Sequence, residues 1–233
     1  MINKNFTFSE IIKLKVFNNT GSEGILFDYD GIHLLKKYYN ISNYSEEHLK
    51  EIIYAQKYIE KATLPLGIGY FNGIFMGSIL KKFNNAISFK DMSLTYSIKY
   101  KLIKLRELLE CIQELTNNGL YLDDIDVENV LFVDNKVEPI DLDGTGIIID
   151  KKCNNELLNR TLTLFKTIVL DTLFPGHNII LNNNIPLVLP LSDSDLLNYI
   201  MNENDSYEAY FEVLSRLINN KDFIEKGKLY VKN

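Results

Sequence analysis

Residues 121–144, YLDDIDVENVLFVDNKVEPIDLDG, closely interleave acidic and apolar residues. Two short apolar runs flank a polar turn, and this pattern predicts a β-hairpin. A run of charge is usually a solvated face, but the apolar residues here need a core beside them. The stretch holds eight carboxylates: Asp123, Asp124, Asp126, Glu128, Asp134, Glu138, Asp141 and Asp143.

The predicted hairpin brings polar side chains together at its open end. A three-residue turn would place Asn129 opposite Asp141, and a two-residue turn at Asp134-Asn135 would shift the pairing by one position. In either register an amide and a carboxylate lie about 5 Å apart. Asp124 precedes Asn129 by five residues, and Asp143 follows Asp141 by two. Hard oxygen ligands of this kind, with room for water, suit Mg²⁺ beside substrate phosphates.

The elements around this stretch predict an α+β protein. Upstream, strands are expected at 12–17 and within 24–38, followed by a helix over 45–62 capped by Ser45 or Asn43. Asn72-Gly73 predicts a tight turn between two further strands, near 67–71 and 74–80. Downstream, the apolar periodicity predicts mainly helices. These helices are expected at 100–119, 155–174, 192–204 and 206–220.

Composition narrows the class of protein. The 233 residues are 46% hydrophobic and carry a net charge of −6, so a nucleic acid is not expected as a partner. Two cysteines without a CxxC motif indicate a reducing compartment, and the N-terminus has no signal-peptide pattern, so a cytoplasmic location is expected. Residues 62–80 lack charge, but four glycines and a proline interrupt them, which favours buried strands over a membrane span.

The order Asp124, Asn129, hairpin, Asp141 resembles the catalytic loop and metal-binding motif of the protein kinase-like superfamily, which includes aminoglycoside-phosphotransferase-like enzymes. The resemblance implies a two-lobed fold, with a small antiparallel β-rich lobe at 1–80 that carries one helix and a mainly helical lobe at 81–233. It also implies that Asp124 orients or deprotonates an acceptor hydroxyl, while Asn129 and Asp141 hold Mg²⁺. Asp143 would be a further metal ligand.

The same resemblance assigns residues upstream, where the family places a glycine loop, a strand lysine and a helix glutamate. Gly21 and Gly24 occupy two of the three glycine positions in NTGSEGIL. Lys36, which follows the apolar pair Leu34-Leu35, would bind phosphate. Its neighbour Lys37 is the alternative, because only one of the two can face the cleft. Glu51, or Glu47 one turn earlier, would pair with that lysine. The strand FMGSIL would hold adenine through backbone groups, with Ser78 and Leu80 as the candidate residues.

The resemblance therefore implies an ATP-dependent phosphotransferase that acts on a hydroxyl of a protein or small molecule, with ATP and Mg²⁺ as cofactors. Asp126 and the incomplete glycine loop, in which Asn19 replaces the first glycine, weigh against catalysis. Asp126 stands where protein kinases usually have a lysine for the γ-phosphate, and Asp143 stands at the glycine of the metal motif, where it either ligates a cation or caps the following turn. The alternative is a pseudokinase, a nucleotide-binding or interaction module without catalysis.

Overall fold

The computed structural model describes residues 1–122, 124–147, 155–173 and 206–230, with the main chain alone at 147, 155 and 226–230. It is an α+β protein in which a six-stranded sheet adjoins a group of helices. The strands are β1 Ile2–Phe6, β2 Lys15–Asn18, β3 Gly24–Asp28, β4 His33–Tyr38, β5 Gly67–Phe71, β6 Ile74–Lys81, β7 Ile87–Ser88, β8 Leu120–Tyr121, β9 Val130–Val133, β10 Lys136–Pro139 and β11 Gly146–Ile147. The helices are α1 Phe8–Ile11, α2 Glu46–Ala55, α3 Phe89–Thr95, α4 Ile98–Asn117, α5 Asn155–Leu173, α6 Tyr207–Asn219 and α7 Lys221–Tyr230. The helix expected at 192–204 lies outside the described residues.

The large sheet has the order β1-β5-β6-β4-β3-β2. It is mixed, because β1 pairs with β5 in parallel while the other pairs are antiparallel. The prediction of a wholly antiparallel sheet was therefore wrong, and β1 was not predicted, since INKNF is largely polar and fully buries only Phe6. A Cβ on Gly67 would lie 2.1 Å from the main-chain oxygen of Ile2, so glycine permits this close approach of β1 and β5.

The predicted hairpin at 67–80 is confirmed. Asn72 and Gly73 both have positive φ, 49° and 81°, as a type I′ turn requires. Strands β5 and β6 lie inside the sheet, so the uncharged segment is a pair of buried strands. In the described parts of the chain, no helix combines the length and apolar character needed to cross a bilayer.

Apolar packing joins the sheet to the helices. One face of the sheet buries Phe6, Leu35 and Met76, and α2 covers Ile68 with Leu49 and Ile53. A larger core forms around α4, α5 and α6 and includes Val130 and Val137 of the β9–β10 hairpin, together with Leu142 just beyond it. The apolar runs of residues 121–144 therefore anchor the acidic residues of the same segment to the main core.

Helix ends follow the chemistry expected from the sequence. Ser45 is the N-cap of α2, and its hydroxyl accepts from the main-chain N–H of His48. This helix ends at Ala55, short of the predicted residue 62, and a 3₁₀ turn follows at Gln56–Tyr58. Helix α4 ends at Asn117, and Gly119 follows with φ 81°, a conformation that favours glycine.

Within the described residues, one buried cation of the helical core has no acidic partner. Lys101 of α4 has an exposed fraction of 0%, and its Nζ donates to the main-chain oxygen of Ser93. Among the described residues, no carboxylate forms an ion pair with Lys101. Burial lowers the pKa of this ammonium from 10.5 to about 8. The folded state therefore holds the Lys101 proton less tightly than the unfolded state.

We expect Lys101→Met to stabilise the protein. At pH 7 the substitution should raise the free energy of unfolding by about 2 kcal/mol, because it removes a charge that is costly to bury. The unfavourable contribution of Lys101 is complete below its folded pKa and disappears as the pH rises through 10.5, the unfolded value. Urea unfolding at pH 7 and above pH 10 measures both effects, and Lys99→Met, at an exposed neighbour, is the control. A Lys101→Met protein less stable than wild type at pH 7 would contradict this assignment.

Candidate functional site

A buried lysine lies at the centre of a cluster of three carboxylates. Lys36 of β4 has an exposed fraction of 5%, whereas its neighbour Lys37 is exposed on the opposite face of the strand. The Lys36 Nζ donates to Glu23 at 2.6 Å, to Asp141 at 2.5 Å and to Asp143 at 3.1 Å. Of the two lysines left open by the sequence, Lys36 is therefore the one that faces the acidic hairpin.

Asp143 is the most deeply buried member of this cluster, with a side chain that is 0% exposed. Its Oδ2 accepts from the hydroxyls of Tyr38 at 2.6 Å and Ser78 at 2.7 Å, and its Oδ1 accepts from Lys36. Burial alone would raise the pKa of Asp143, but the Lys36 charge and the two hydroxyl groups lower it below its ordinary value. This carboxylate is therefore ionised and well hydrogen-bonded.

Asp141 lies at the sharp bend after β10. Its φ of 64° and ψ of 35° are left-handed, a conformation that costs about 1 kcal/mol or more outside glycine. The bend turns Leu142 into the core, at 3% exposure, and leaves the Asp141 side chain 34% exposed beside Lys36. Burial and the Asp143 charge raise the pKa of Asp141 to about 6, against the opposing effect of Lys36.

The Lys36 ammonium is held in its charged form. Burial alone would lower its pKa, but the charges of Asp143 and Asp141 outweigh burial and raise the pKa above its ordinary value. Carboxylate oxygens of Glu23, Asp141 and Asp143 lie within 4.8 Å of one another. Three carboxylates thus face one ammonium, and this excess of negative charge is suited to a divalent cation.

Glu23 comes from the predicted glycine turn. Its main-chain oxygen accepts from Tyr39 at 2.9 Å, and a Cβ on the following Gly24 would lie 2.4 Å from the Lys37 oxygen. Gly24 therefore allows the turn to sit tightly on β4, whereas Gly21 is exposed. The turn thus directs the Glu23 carboxylate onto Lys36.

Two tyrosines enclose this side of the cluster. Tyr44 stacks on Tyr38 with ring centroids 3.7 Å apart and planes 6° apart. Burial and the Glu23 charge raise the pKa of Tyr44, and burial and Asp143 raise that of Tyr38. Both phenols therefore stay protonated and act as hydrogen-bond donors.

The β9–β10 hairpin has the shorter of the two predicted turns. Lys136 pairs with Val133, so Asp134 and Asn135 form the turn, with φ of 48° and 67°. The Ile140 N–H donates to the Asn129 oxygen at 2.8 Å, which places Asn129 opposite Ile140 in place of Asp141.

The loop before the hairpin holds the other predicted residues. Asp124 is exposed, and the Asn129 Nδ2 donates to the Asp124 main-chain oxygen at 3.4 Å. Asp126 Oδ1 accepts from the N–H groups of Glu128 at 2.7 Å and Asn129 at 2.9 Å, in an Asx-type turn. Asp126 therefore has a local structural function, because it shapes the loop that carries Asp124 and Asn129.

Several predicted residues lie elsewhere. Glu51 and Glu47 are both exposed on α2, and in the described parts of the chain neither forms an ion pair with Lys36, so the predicted lysine–glutamate pair is wrong. The buried residues of α2 are Leu49, Ile52 and Ile53, and this packing turns Glu51 towards solvent.

Ser78 and Leu80 do not have free backbone groups for adenine. They belong to β6, a strand inside the sheet, and pair with Lys36 and Leu34 of β4. The Ser78 hydroxyl is used by Asp143. The predicted base contact through these two residues is therefore wrong, because ladder pairing already uses this part of the strand.

Sequence reasoning missed Glu23, Tyr38, Tyr44 and the contact of His48 Nε2 with the Thr145 main-chain oxygen at 2.7 Å. One signal was present, since Tyr38 lies two residues after Lys36 and must share its face of the strand.

In comparisons with known proteins, no family model matches the chain. No curated protein matches it significantly.

Proposed function

We propose that this chain is an ATP-dependent phosphotransferase with a two-lobed, kinase-like fold, in which residues 1–80 and 81–233 form the lobes. It would transfer the γ-phosphate to a hydroxyl of a protein or small molecule. The observation that carries the proposal is the pairing of Lys36 with Asp141, two residues 105 positions apart in the chain. The lysine comes from the large sheet and the carboxylate from the turn that follows the acidic hairpin, and the sequence resemblance assigns both residues to the nucleotide site.

The charges of the cluster support a nucleotide with a metal ion. In the proposed complex Lys36 binds phosphate oxygens, and Asp141 and Asn129 hold Mg²⁺, which supplies neutralisation of the phosphate charge when bound. Asp141 fits a ligand role because its side chain is partly exposed at the mouth of the hairpin. Hard carboxylate oxygens are the donors that Mg²⁺ prefers.

Asp124 is the proposed group for the acceptor hydroxyl. It is exposed, and its main chain is linked to Asn129, so the general base and the metal ligand are held on one loop. Asp126 is one of the two departures that weigh against catalysis. Its carboxylate is occupied by two main-chain N–H groups, which reduces its repulsion of a phosphoryl group.

We further propose that the protein is cytoplasmic and that nucleic acid is not a partner. The cysteine content supports the first statement, and the net charge of −6 supports the second. For the acceptor, the proposal specifies only a hydroxyl group.

The second candidate is a nucleotide-binding module without catalysis. One observation favours it: the Lys36 ammonium has three N–H donors, and three carboxylates already occupy them. A phosphate must displace one of these partners before Lys36 can bind it.

Thermal unfolding with ATP and Mg²⁺, followed by measurement of ADP release in the presence of hydroxylated acceptors, tests the proposal. ATP with Mg²⁺ at 100 times its Kd should stabilise the folded protein by about 2.7 kcal/mol, and ATP with a chelator should stabilise it less. ADP release is the result expected for the enzyme. Stabilisation without ADP release would support the binding module, and the absence of any nucleotide effect would overturn both candidates.

A further inference from the structure

The three partners of Lys36 differ in how firmly they are held. The side chains of Glu23 and Asp141 are 39% and 34% exposed, whereas that of Asp143 is 0% exposed. Solvent screens the first two interactions more than the third. The lysine is therefore fixed chiefly by the partner on the buried side of the cluster.

Asp143 also collects two hydroxyls from the same face of the sheet. Tyr38 lies two residues from Lys36 on β4, and Ser78 is the direct partner of Lys36 across the β4–β6 ladder. Three donors on two neighbouring strands thus converge on one carboxylate. A carboxylate has about four acceptor positions, so little capacity is left at Asp143 for a cation.

Helix α2 offers no equivalent partner. Its glutamates at 47 and 51 are exposed, and its polar contact near the cluster is that of His48 with the main-chain oxygen of Thr145. That oxygen lies two residues beyond Asp143. The helix therefore contacts the main chain of the turn that carries Asp143, and supplies no charge to Lys36.

We propose that Asp143 is the positioning residue for Lys36, in the place that the sequence resemblance gave to Glu51. This inference rests on the proposed phosphotransferase function. Asp141 precedes Asp143 by two residues and enters the same 3₁₀ turn, Leu142–Gly144. One short turn thus sets the lysine and the candidate metal ligand relative to each other, and it does so without a charged group from α2.

The main test compares Asp143→Asn with Glu51→Gln in an ATP-turnover assay that varies ATP and Mg²⁺. Asp143→Asn keeps the side-chain shape and removes its charge, so we expect kcat to fall about 100-fold, as for a misplaced catalytic group. The KM for ATP and the half-saturating Mg²⁺ concentration should each stay within about threefold of wild type, because Asp143 contacts neither directly. Glu51→Gln should stay within about twofold in all three quantities.

Tyr38→Phe and Ser78→Ala provide a second test that leaves the Asp143 charge in place. Each removes one hydrogen bond to the carboxylate, and we expect kcat to fall about 5- to 10-fold in each. These variants remain informative if Asp143→Asn does not fold. Wild-type kcat in both of them would then overturn the inference.

Other results separate this inference from the proposed function. A tenfold or greater rise in the Mg²⁺ requirement of Asp143→Asn would make Asp143 a metal ligand and overturn its positioning role. If kcat falls equally in Glu51→Gln and Asp143→Asn, the positioning of Lys36 belongs to Glu51 of α2 as well. If the wild-type protein turns over ATP and Asp143→Asn has the same kcat, the inference is overturned and the proposed function stands. If the wild-type protein does not turn over ATP, the proposed function and the inference are both overturned.

Discussion

Lys36→Met is expected to destabilise the protein by about 3–5 kcal/mol at pH 7.5, because it leaves the buried Asp143 carboxylate without its cation. For a chain of this length, that loss corresponds to a fall in Tm of roughly 10 °C. Hydrogen bonds from Tyr38 and Ser78 would remain, but they do not neutralise the charge. The same variant should lose the stabilisation that ATP with Mg²⁺ gives to wild type.

The destabilisation in Lys36→Met should depend on pH. Without the lysine, burial raises the folded-state pKa of the carboxylates above their unfolded values, so the folded protein binds protons more tightly. The stability deficit is then largest above the raised pKa and shrinks as the pH falls below it. Chemical unfolding at pH 7.5 and pH 5 measures this difference.

Lys37→Met is the matched control for this experiment. Lys37 adjoins Lys36 on β4, but its side chain is exposed on the other face of the strand, so its loss should change stability by less than about 0.5 kcal/mol. Equal stability of the two variants would contradict the assignment of Lys36 as the buried cation of the cluster.

The elements that the sequence predicted well are those whose signals are local. The Asn72-Gly73 turn, the Ser45 cap and the hairpin after Asn129 each depend on neighbouring residues, and the structure has all three. Alternation of side chains along β4 means that only one of Lys36 and Lys37 can face inward, and the preceding apolar pair Leu34-Leu35 favoured Lys36.

The partners of Lys36 were not predicted, because they come from segments that are distant in the sequence. Ser78 meets Lys36 only because β6 pairs with β4 in one particular register, and local periodicity does not specify that register. The polar strand β1 was missed for a related reason, since its pairing with β5 brings together residues 65 positions apart, such as Ile2 and Gly67.

The error at Glu51 has a different origin. The prediction paired Glu51 with the strand lysine, whereas α2 buries Leu49, Ile52 and Ile53. Successive helical residues are about 100° apart, so Glu51 lies roughly 150° from the centre of the stripe formed by Leu49, Ile52 and Ile53, on the outer side of the helix. The exposure of Glu51 therefore follows from the apolar stripe of α2, which the prediction did not use.

Asp124→Asn is expected to abolish phosphate transfer while leaving the folded state intact. Removal of a general base reduces the rate about 10²- to 10⁴-fold. Asp124 is exposed, so the free energy of unfolding should change by less than about 0.5 kcal/mol. ATP affinity should stay within about threefold, because the proposed phosphate and metal contacts belong to Lys36, Asn129 and Asp141.

ADP release with hydroxylated acceptors and ATP titration by thermal shift measure the two effects separately. Glu128→Gln is the matched control, because Glu128 is another exposed carboxylate of the same loop, and its ion pair with Lys90 lies outside the acidic cluster. That control should transfer phosphate at close to the wild-type rate. If Asp124→Asn transfers phosphate at the wild-type rate, Asp124 is not the general base. If its ATP affinity falls as much as its transfer rate, Asp124 acts in nucleotide binding, before the transfer step.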